Sequence, residues 1–569
     1  TATTEIYTYA TSAASDVYKR QLLSEVLTMR LKKDSSEQKL RGAYYTPLQL
    51  ADAMVELFAS QNISTVLEPS CGDGVFLDAL QNLNLLNKVD KLTAVEIEPD
   101  EAEKVRDRYS EFEQIEVCTE DFFDFYNRAL GKEQYDLILG NPPYIRYQYL
   151  KESQREMQSQ ILTSHGMKAN KLINAWVAFI VACVQLLSEK GKIAFVIPAE
   201  ILQVAYAEDL RLYLANNLAK ITLITFEQLV FPDIEQEVVV FIGEKGEEEK
   251  GIRIIEMNNL SGFAQLDLSQ NGFQKLQHVK EKWTKYFVNA EEMSLIQELR
   301  ADKRFAQFSE YGIINVGITT GNNGYFSITE ETSEQYQLSE VTLPLIGRSS
   351  HVHGIYFTAQ DWEKNKIAGK RARLISFPEI PYDEYPAKHK EYISLGEANG
   401  EHEGYKCSIR ERWYIVPSVW VPDAFFLRRN NFYPKFVLNK CDAVSTDTMH
   451  RMKFNDGVDP ENVLLAYYNS ISFAFTEICG RSYGGGVLEI LPGEMGNILL
   501  PKVERIDPAL RDKLLAHIDA IVRNDEDIEL ALDVVDKELL VDTLGIDPEI
   551  CRKCRAIWKK MQTRRLGRG

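Results

Sequence analysis

The sequence predicts an α/β chain: a mostly parallel, seven-stranded sheet with helices on both faces, followed by a mixed α/β region and a helical C-terminal segment. Three observations carry this. Between Ile63 and Gly243, seven short apolar runs alternate with amphipathic stretches, the pattern of parallel strands joined by crossover helices. After the acidic run EKGEEEK (Glu244–Lys250) the spacing turns irregular and rich in aromatic and turn residues, and from Pro508 to Arg565 it is helical and charged. The chain of 569 residues is also longer than one core usually holds, which implies two or three domains.

The elements follow in order. Near the start, SAASDVYKRQ (Ser12–Gln21) resembles a translated adapter from DNA library preparation, so residues 1–21 are expected to be a non-native segment. Thr46-Pro47-Leu48-Gln49 then reads as a capping box with proline at the first helical position, opening a helix to about Ala59. The seven runs TVLEP, KLTAVE, IEVCT, YDLILG, KIAFVI, ITLITF and EVVVFIGE are the expected strands, and EKGEEEK is a solvated turn after the last of them. The longest apolar run, Ala175 to Leu187, is too short to cross a bilayer. Eight scattered cysteines imply reduced thiols and a cytoplasmic protein rather than a disulfide framework, and the single CxxC, Cys551 and Cys554, reads as helix rather than zinc site. No metal is expected.

The net charge of −19 opposes non-specific nucleic-acid binding by the surface as a whole. Its distribution is uneven. Between Lys406 and Lys453 nine Lys or Arg face four Asp or Glu, a local excess of +5.

The chemistry sits at strand ends, where open parallel sheets bind ligands. The first strand ends in Glu68-Pro69-Ser70-Cys71-Gly72-Asp73-Gly74: an acid, then two glycines that permit a tight turn and a close backbone approach. No Gly-Lys-Ser/Thr follows, and the GxGxxG of dinucleotide enzymes is missing. An acid here suits an ammonium. Glu96 ends the second strand, where a carboxylate can accept from two ribose hydroxyls, and Asp121-Phe122 follows the third, where an acid can accept from an adenine amine beside an aromatic ring. Together the three acids fit S-adenosyl-L-methionine better than NAD or ATP.

Asn141-Pro142-Pro143-Tyr144 ends the fourth strand. The prolines stop both ladder and helix. An adenine N6 amine is a poor nucleophile because its lone pair is delocalised into the ring. Acceptors at the Asn141 side chain and the Pro142 carbonyl can hold its two hydrogens and free that lone pair, with Tyr144 stacked on the base.

With these motifs in hand, the chain resembles the γ-class adenine-N6 DNA methyltransferases of bacterial restriction-modification systems. The likeness rests on GAYYTP (Gly42–Pro47), VLEPSCGDGVFL (Val66–Leu77), VEIEPD (Val95–Asp100), EDFF (Glu120–Phe123) and LILGNPPY (Leu137–Tyr144). It implies a Rossmann-like class I methyltransferase domain, with Thr46, Glu68, Cys71, Gly72, Gly74, Glu96, Ile97, Asp121 and Phe122 lining the cofactor. It also implies Asn141, Pro142 and Tyr144 as the catalytic set, with Pro143 beside them and Phe231 stacking on a base flipped out of double-stranded DNA. Later segments resemble the family's recognition half, and there Arg410, Arg412, Arg428, Arg429, Lys435 and Lys440 are expected to contact DNA. The expected organisation is a catalytic domain over 22–260, a linker over 261–310, a target-recognition domain over 311–503 and a helical segment over 504–569. A monomer without membrane contact is expected, served by a separate cognate restriction endonuclease. Methylation of cytosine N4, of a protein glutamine at N5, or a DNA-binding module without catalysis are the alternatives.

Overall fold

The computed structural model describes residues 46–168, 173–203, 205–226, 237–257, 259–266, 268, 272–276, 282–483, 486–503 and 506–567. They form two compact units divided after Trp283.

The first unit is built on one sheet of nine strands: β1 (Thr65–Glu68), β2 (Lys91–Glu96), β3 (Ile115–Thr119), β4 (Tyr135–Gly140), β5 (Leu187–Pro198), β6 (Lys220–Phe226), β7 (Val238–Glu244), β8 (Gly251–Met257) and β9 (Gln274–Lys275). The order is β3-β2-β1-β4-β5-β7-β6-β8-β9. Strands β1 to β5 pair in parallel, as do β6 and β8, whereas β7 runs antiparallel between β5 and β6. All seven expected strands are present. The sheet exceeds the expected seven because EKGEEEK is not its end: the turn leads into β8, whose Ile252 and Ile254 pair beside Ile221 and Leu223. Weak alternation in GIRIIEM hid that strand.

Helices cover both faces: α1 (Leu48–Glu56), α2 (Val75–Asn82), α3 (Pro99–Arg108), α4 (Phe122–Ala129), α5 (Glu152–Ser164) and α6 (Ala175–Leu186). Helix α6 is apolar all round, AWVAFIVACVQL, and nearly every residue is buried, because it packs against β5, α4 and α5 at once. The expected capping box at Thr46 does not form. Thr46 is buried, α1 starts one residue later than the motif implies, and the Pro47 carbonyl accepts from Leu50 N and Ala51 N without a side-chain cap. The helix ends at Glu56 and gives way to turns rather than reaching Ala59.

The second unit centres on a five-stranded sheet of β10 (Gly312–Val316), β11 (Tyr356–Thr358), β12 (Ala424–Leu427), β13 (Phe436–Lys440) and β14 (Met449–Phe454), in the order β10-β14-β12-β13-β11. Phe426, Phe436 and Met452 of this sheet share one core with α7 (Pro460–Tyr467), α8 (Ser470–Cys479), α9 (Pro508–Arg523) and α10 (Pro548–Leu566). Cys551 and Cys554 are buried on α10, and all eight cysteines are free thiols. Arg565 of α10 pairs with Glu477 of α8 at 2.9 Å, both side chains no more than 2% exposed. Breaking such a pair strands a buried charge. Arg565→Met is therefore expected to lower the unfolding free energy by about 3 to 5 kcal/mol, read as a fall in the urea midpoint. Glu477→Gln in the same chain should return part of that loss.

Candidate active site

The strand order puts the site where the sheet reverses direction of growth. Strand β1 lies between β2 and β4, with Val66 beside Leu137 and Leu67 beside Ile138, so the loops leaving β1 and β4 open side by side. Ser70 Oγ donates to the Asn141 carbonyl at 3.3 Å, and a Cβ placed on Gly140 would lie 3.8 Å from Glu68 Cγ. The first acid and the Asn-Pro-Pro-Tyr motif thus stand side by side at the ends of β1 and β4.

The β1 loop is held from β2. Cys71 N donates to Val95 O at 2.9 Å, and Gly72 N donates to Glu96 Oε2 at 2.8 Å. Glu96 Oε1 accepts from Glu98 N at 2.9 Å, so this carboxylate fixes two loops and retains further acceptor capacity. Gly72 and Gly74 take φ of +51° and +84°, and a Cβ on Gly74 would meet Val105 Cγ2 at 3.1 Å. Gly74→Ala is expected to destabilise the fold by about 1 to 2 kcal/mol, visible as a lower melting temperature, and to weaken cofactor binding by moving this loop.

The electrostatics at the β1 end are set by buried acids. Glu68 is 1% exposed, and its Oε2 has no hydrogen-bond partner among the described residues. Burial pushes its carboxyl well above the usual carboxylate range, and Asp73, Glu96 and Asp78 push it further. Burial raises Glu96 too, against the amides of Glu98, Gly72 and Ile97. The Cys71 thiol is raised by burial and by Glu68 and Glu96, which leaves it unsuited to attack. Asp73 and Asp78, not singled out in the sequence, add to the negative potential; Asp78 bonds Arg108 and Tyr109. Among the described residues no group of three or more His, Cys, Asp or Glu could hold a metal. An orphaned buried carboxylate oxygen beside a glycine loop fits an ammonium- and sulfonium-bearing ligand such as S-adenosylmethionine.

The remaining expected residues are placed as follows. Asp121 caps α4, its Oδ1 accepting from Phe123 N at 2.8 Å, while Oδ2 accepts from Gln154 Nε2 at 2.6 Å. Phe122 is buried and stacks on Phe179 at 4.7 Å. Ile97 is 43% exposed at the end of β2. Pro142 is buried, and Asn141, Pro143 and Tyr144 are half-buried. Tyr144 donates its hydroxyl to Val196 O of β5 at 3.1 Å, which anchors the motif across β4 and β5. After it, Arg146 to Tyr149 form an exposed bridge and short 3-10 turn leading to α5. Phe231 lies outside the described residues, as do residues 1–21.

In the second unit the basic run is largely engaged within the fold. Arg428 pairs with Glu489 at 2.9 Å and Lys440 with Glu461 at 3.2 Å. Arg410 donates to the carbonyls of Thr319 and Thr320, and Arg412 to that of Ile380. Lys435 is half-buried over the Tyr433 ring, and burial pulls its ammonium below the usual lysine range. Arg429, with 72% of its side chain exposed, is the most open of the six, although Glu489 lies 3.6 Å away.

Residues 10–231 match the Eco57I restriction-modification methylase family, and residues 280–540 match the C-terminal domain of Type II methyltransferase M.Eco57I. The chain belongs to this family of restriction-modification methylases. It is 23% identical to Type II methyltransferase M.AccI of Acinetobacter calcoaceticus, over 84% of this chain and 88% of that one. It is 31% identical to M.HincII of Haemophilus influenzae, over 42% of this chain and 44% of that one. The solved structure of the Type IIL restriction-modification enzyme MmeI in complex with DNA shares the fold of this methylase. Its TM-score is 0.51 at 14% identity, covering 94% of this chain and 77% of that one. Among the described residues no helix is long and apolar enough to cross a membrane.

Proposed function

We propose that this methylase transfers a methyl group from S-adenosylmethionine to adenine N6 in a specific duplex sequence, with the base turned out of the helix. The observation that carries the reading is the junction of β1 and β4, where the buried, orphaned Glu68 carboxylate and the Asn-Pro-Pro-Tyr motif meet across the Ser70 to Asn141 hydrogen bond. When bound, the cofactor supplies an electrophilic sulfonium methyl. Glu68 would pair with its ammonium, Glu96 would accept from the ribose hydroxyls, and Asp121 would accept from its adenine amine. Asn141 Oδ1 and the Pro142 carbonyl accept the two hydrogens of the target amine, which localises the nitrogen lone pair. The freed pair would be in place to accept the methyl group that the cofactor would supply, with one N6 proton released to water. Tyr144, anchored on Val196 O, holds the base in line. No protein nucleophile takes part. Phe231 is proposed as the second face of the base pocket and Arg429 as the leading phosphate contact of the second unit.

Asparagine before the prolines favours adenine over cytosine N4, and the large second unit favours DNA over a peptide. The purified chain with methyl-labelled S-adenosylmethionine should place label in DNA carrying its site and none in a release-factor-like protein. The opposite distribution would overturn this reading. A separate restriction endonuclease is the proposed partner, and the chain is proposed to act as a monomer.

A further inference from the structure

Helix α5 begins directly after the segment that follows Asn-Pro-Pro-Tyr, and its first turn reaches in two directions. Arg155 donates to Leu150 O at 2.9 Å and Gln148 O at 3.1 Å, gripping that segment. Its neighbour Gln154 uses both ends of its carboxamide. Oε1 accepts from Lys151 N at 3.0 Å, closing the helix start, and Nε2 donates to Asp121 Oδ2 at 2.6 Å. The Asp121 carboxylate is thereby fixed from both sides, by Phe123 N on Oδ1 and by Gln154 on Oδ2. A carboxylate has about four acceptor positions, so two stay open, and their direction is set by these two donors.

We infer that Gln154 is a positioning residue for cofactor recognition: it aims Asp121 so that the site prefers a 6-amino purine over a 6-oxo purine. This rests on the reading that Asp121 accepts from the cofactor's adenine amine. The chemistry of the preference is simple. A carboxylate accepts a hydrogen bond from an amine, whereas a carbonyl oxygen at the same position presents an acceptor to an acceptor. The preference is large only if the carboxylate is held still, since a carboxylate free to rotate can turn its charge away from the carbonyl. Gln154 supplies that hold and touches no reacting atom. It has no sequence signal of its own, because the bond joins residues 33 apart.

The full-length chain, titrated calorimetrically with S-adenosylhomocysteine and with its 6-oxo analogue S-inosylhomocysteine, tests this. Wild type should bind the amino form more tightly by at least about tenfold. Gln154→Glu keeps the acceptor for Lys151 N and hence the helix start, and replaces the donor to Asp121 with a second carboxylate that repels it. It should fold as wild type by circular dichroism, lose most of the preference and raise the KM for S-adenosylmethionine roughly tenfold, with kcat at saturation within about twofold. Gln154→Ala should lose the preference as well, and serves if the glutamate variant does not fold. A preference retained in both variants overturns the assignment of Gln154. Asp121→Ala separates the two layers. If it alone abolishes the preference, Gln154 is wrong and the Asp121 reading stands. If it too keeps the preference, or if wild type shows none, the Asp121 reading itself fails.

Discussion

Asn141→Ala is expected to slow methyl transfer by at least about 100-fold, while affinities for cofactor and DNA stay within about threefold of wild type. The reasoning is differential binding. Target adenine in the ground state has a planar amine that gains little from the Asn141 acceptor, whereas in the transition state the nitrogen is pyramidal and carries developing positive charge. An acceptor there is worth more as the reaction proceeds, so its removal should fall on kcat. Asn141 sits on a rigid frame: Pro142 and Pro143 follow it, Ser70 holds its carbonyl, and Tyr144 is tied to β5. Single-turnover measurement with labelled cofactor and a saturating cognate duplex would read the step. A variant with the wild-type rate would remove Asn141 from the mechanism, and equal loss of DNA binding would make it a binding residue.

Glu68→Gln is expected to have two opposite effects. Cofactor affinity should fall on the order of 100-fold, because a buried charge-assisted contact to an ammonium is lost. The cofactor-free protein should become more stable. The Glu68 carboxyl keeps its proton to a higher pH when folded than when unfolded, since burial and the acids Asp73, Glu96 and Asp78 disfavour its charge. Ionisation therefore favours the unfolded chain, and stability declines as pH rises from about 4.5 through the folded value. Glutamine removes that decline. Melting at pH 8 should favour the variant without cofactor and the wild type with saturating cofactor, and at pH 4 the cofactor-free difference should vanish. For the same reason, wild-type affinity for S-adenosylhomocysteine should rise with pH as Glu68 deprotonates, and Glu68→Gln should flatten that slope. A variant that binds cofactor normally would end the assignment of Glu68 to the ammonium.

Much of the catalytic half was legible because its signals are local. Runs such as DLILG and KIAFVI form strands buried on both faces, and the doubled proline after Asn141 marks where a strand must stop. The strand ends at which the expected acids stand were legible too: Glu68 closes β1, Glu96 closes β2 and Asp121 follows β3. What escaped depends on partners distant in sequence. The second unit's charge excess could be counted, but not that Arg428 meets Glu489, 61 residues on, or that Lys440 meets Glu461. Composition counts charges without their partners. Phe122 illustrates a related limit: its contact with the Phe179 ring of α6 joins residues far apart in sequence and has no local signal. Thr46 carried a capping pattern, but α1 opens at Leu48 with Pro47 as its cap residue, so the Thr46 hydroxyl stands one residue too early for that role.

The reaction is defined by the atom that receives the methyl group. DNA taken from a host expressing this chain, sequenced natively with detection of modified bases, tests it most directly. N6-methyladenine at one position of one recurring motif, lost in a host carrying Asn141→Ala, is the expected result. N4-methylcytosine at that motif, or DNA without any mark while a protein glutamine becomes methylated, would contradict it.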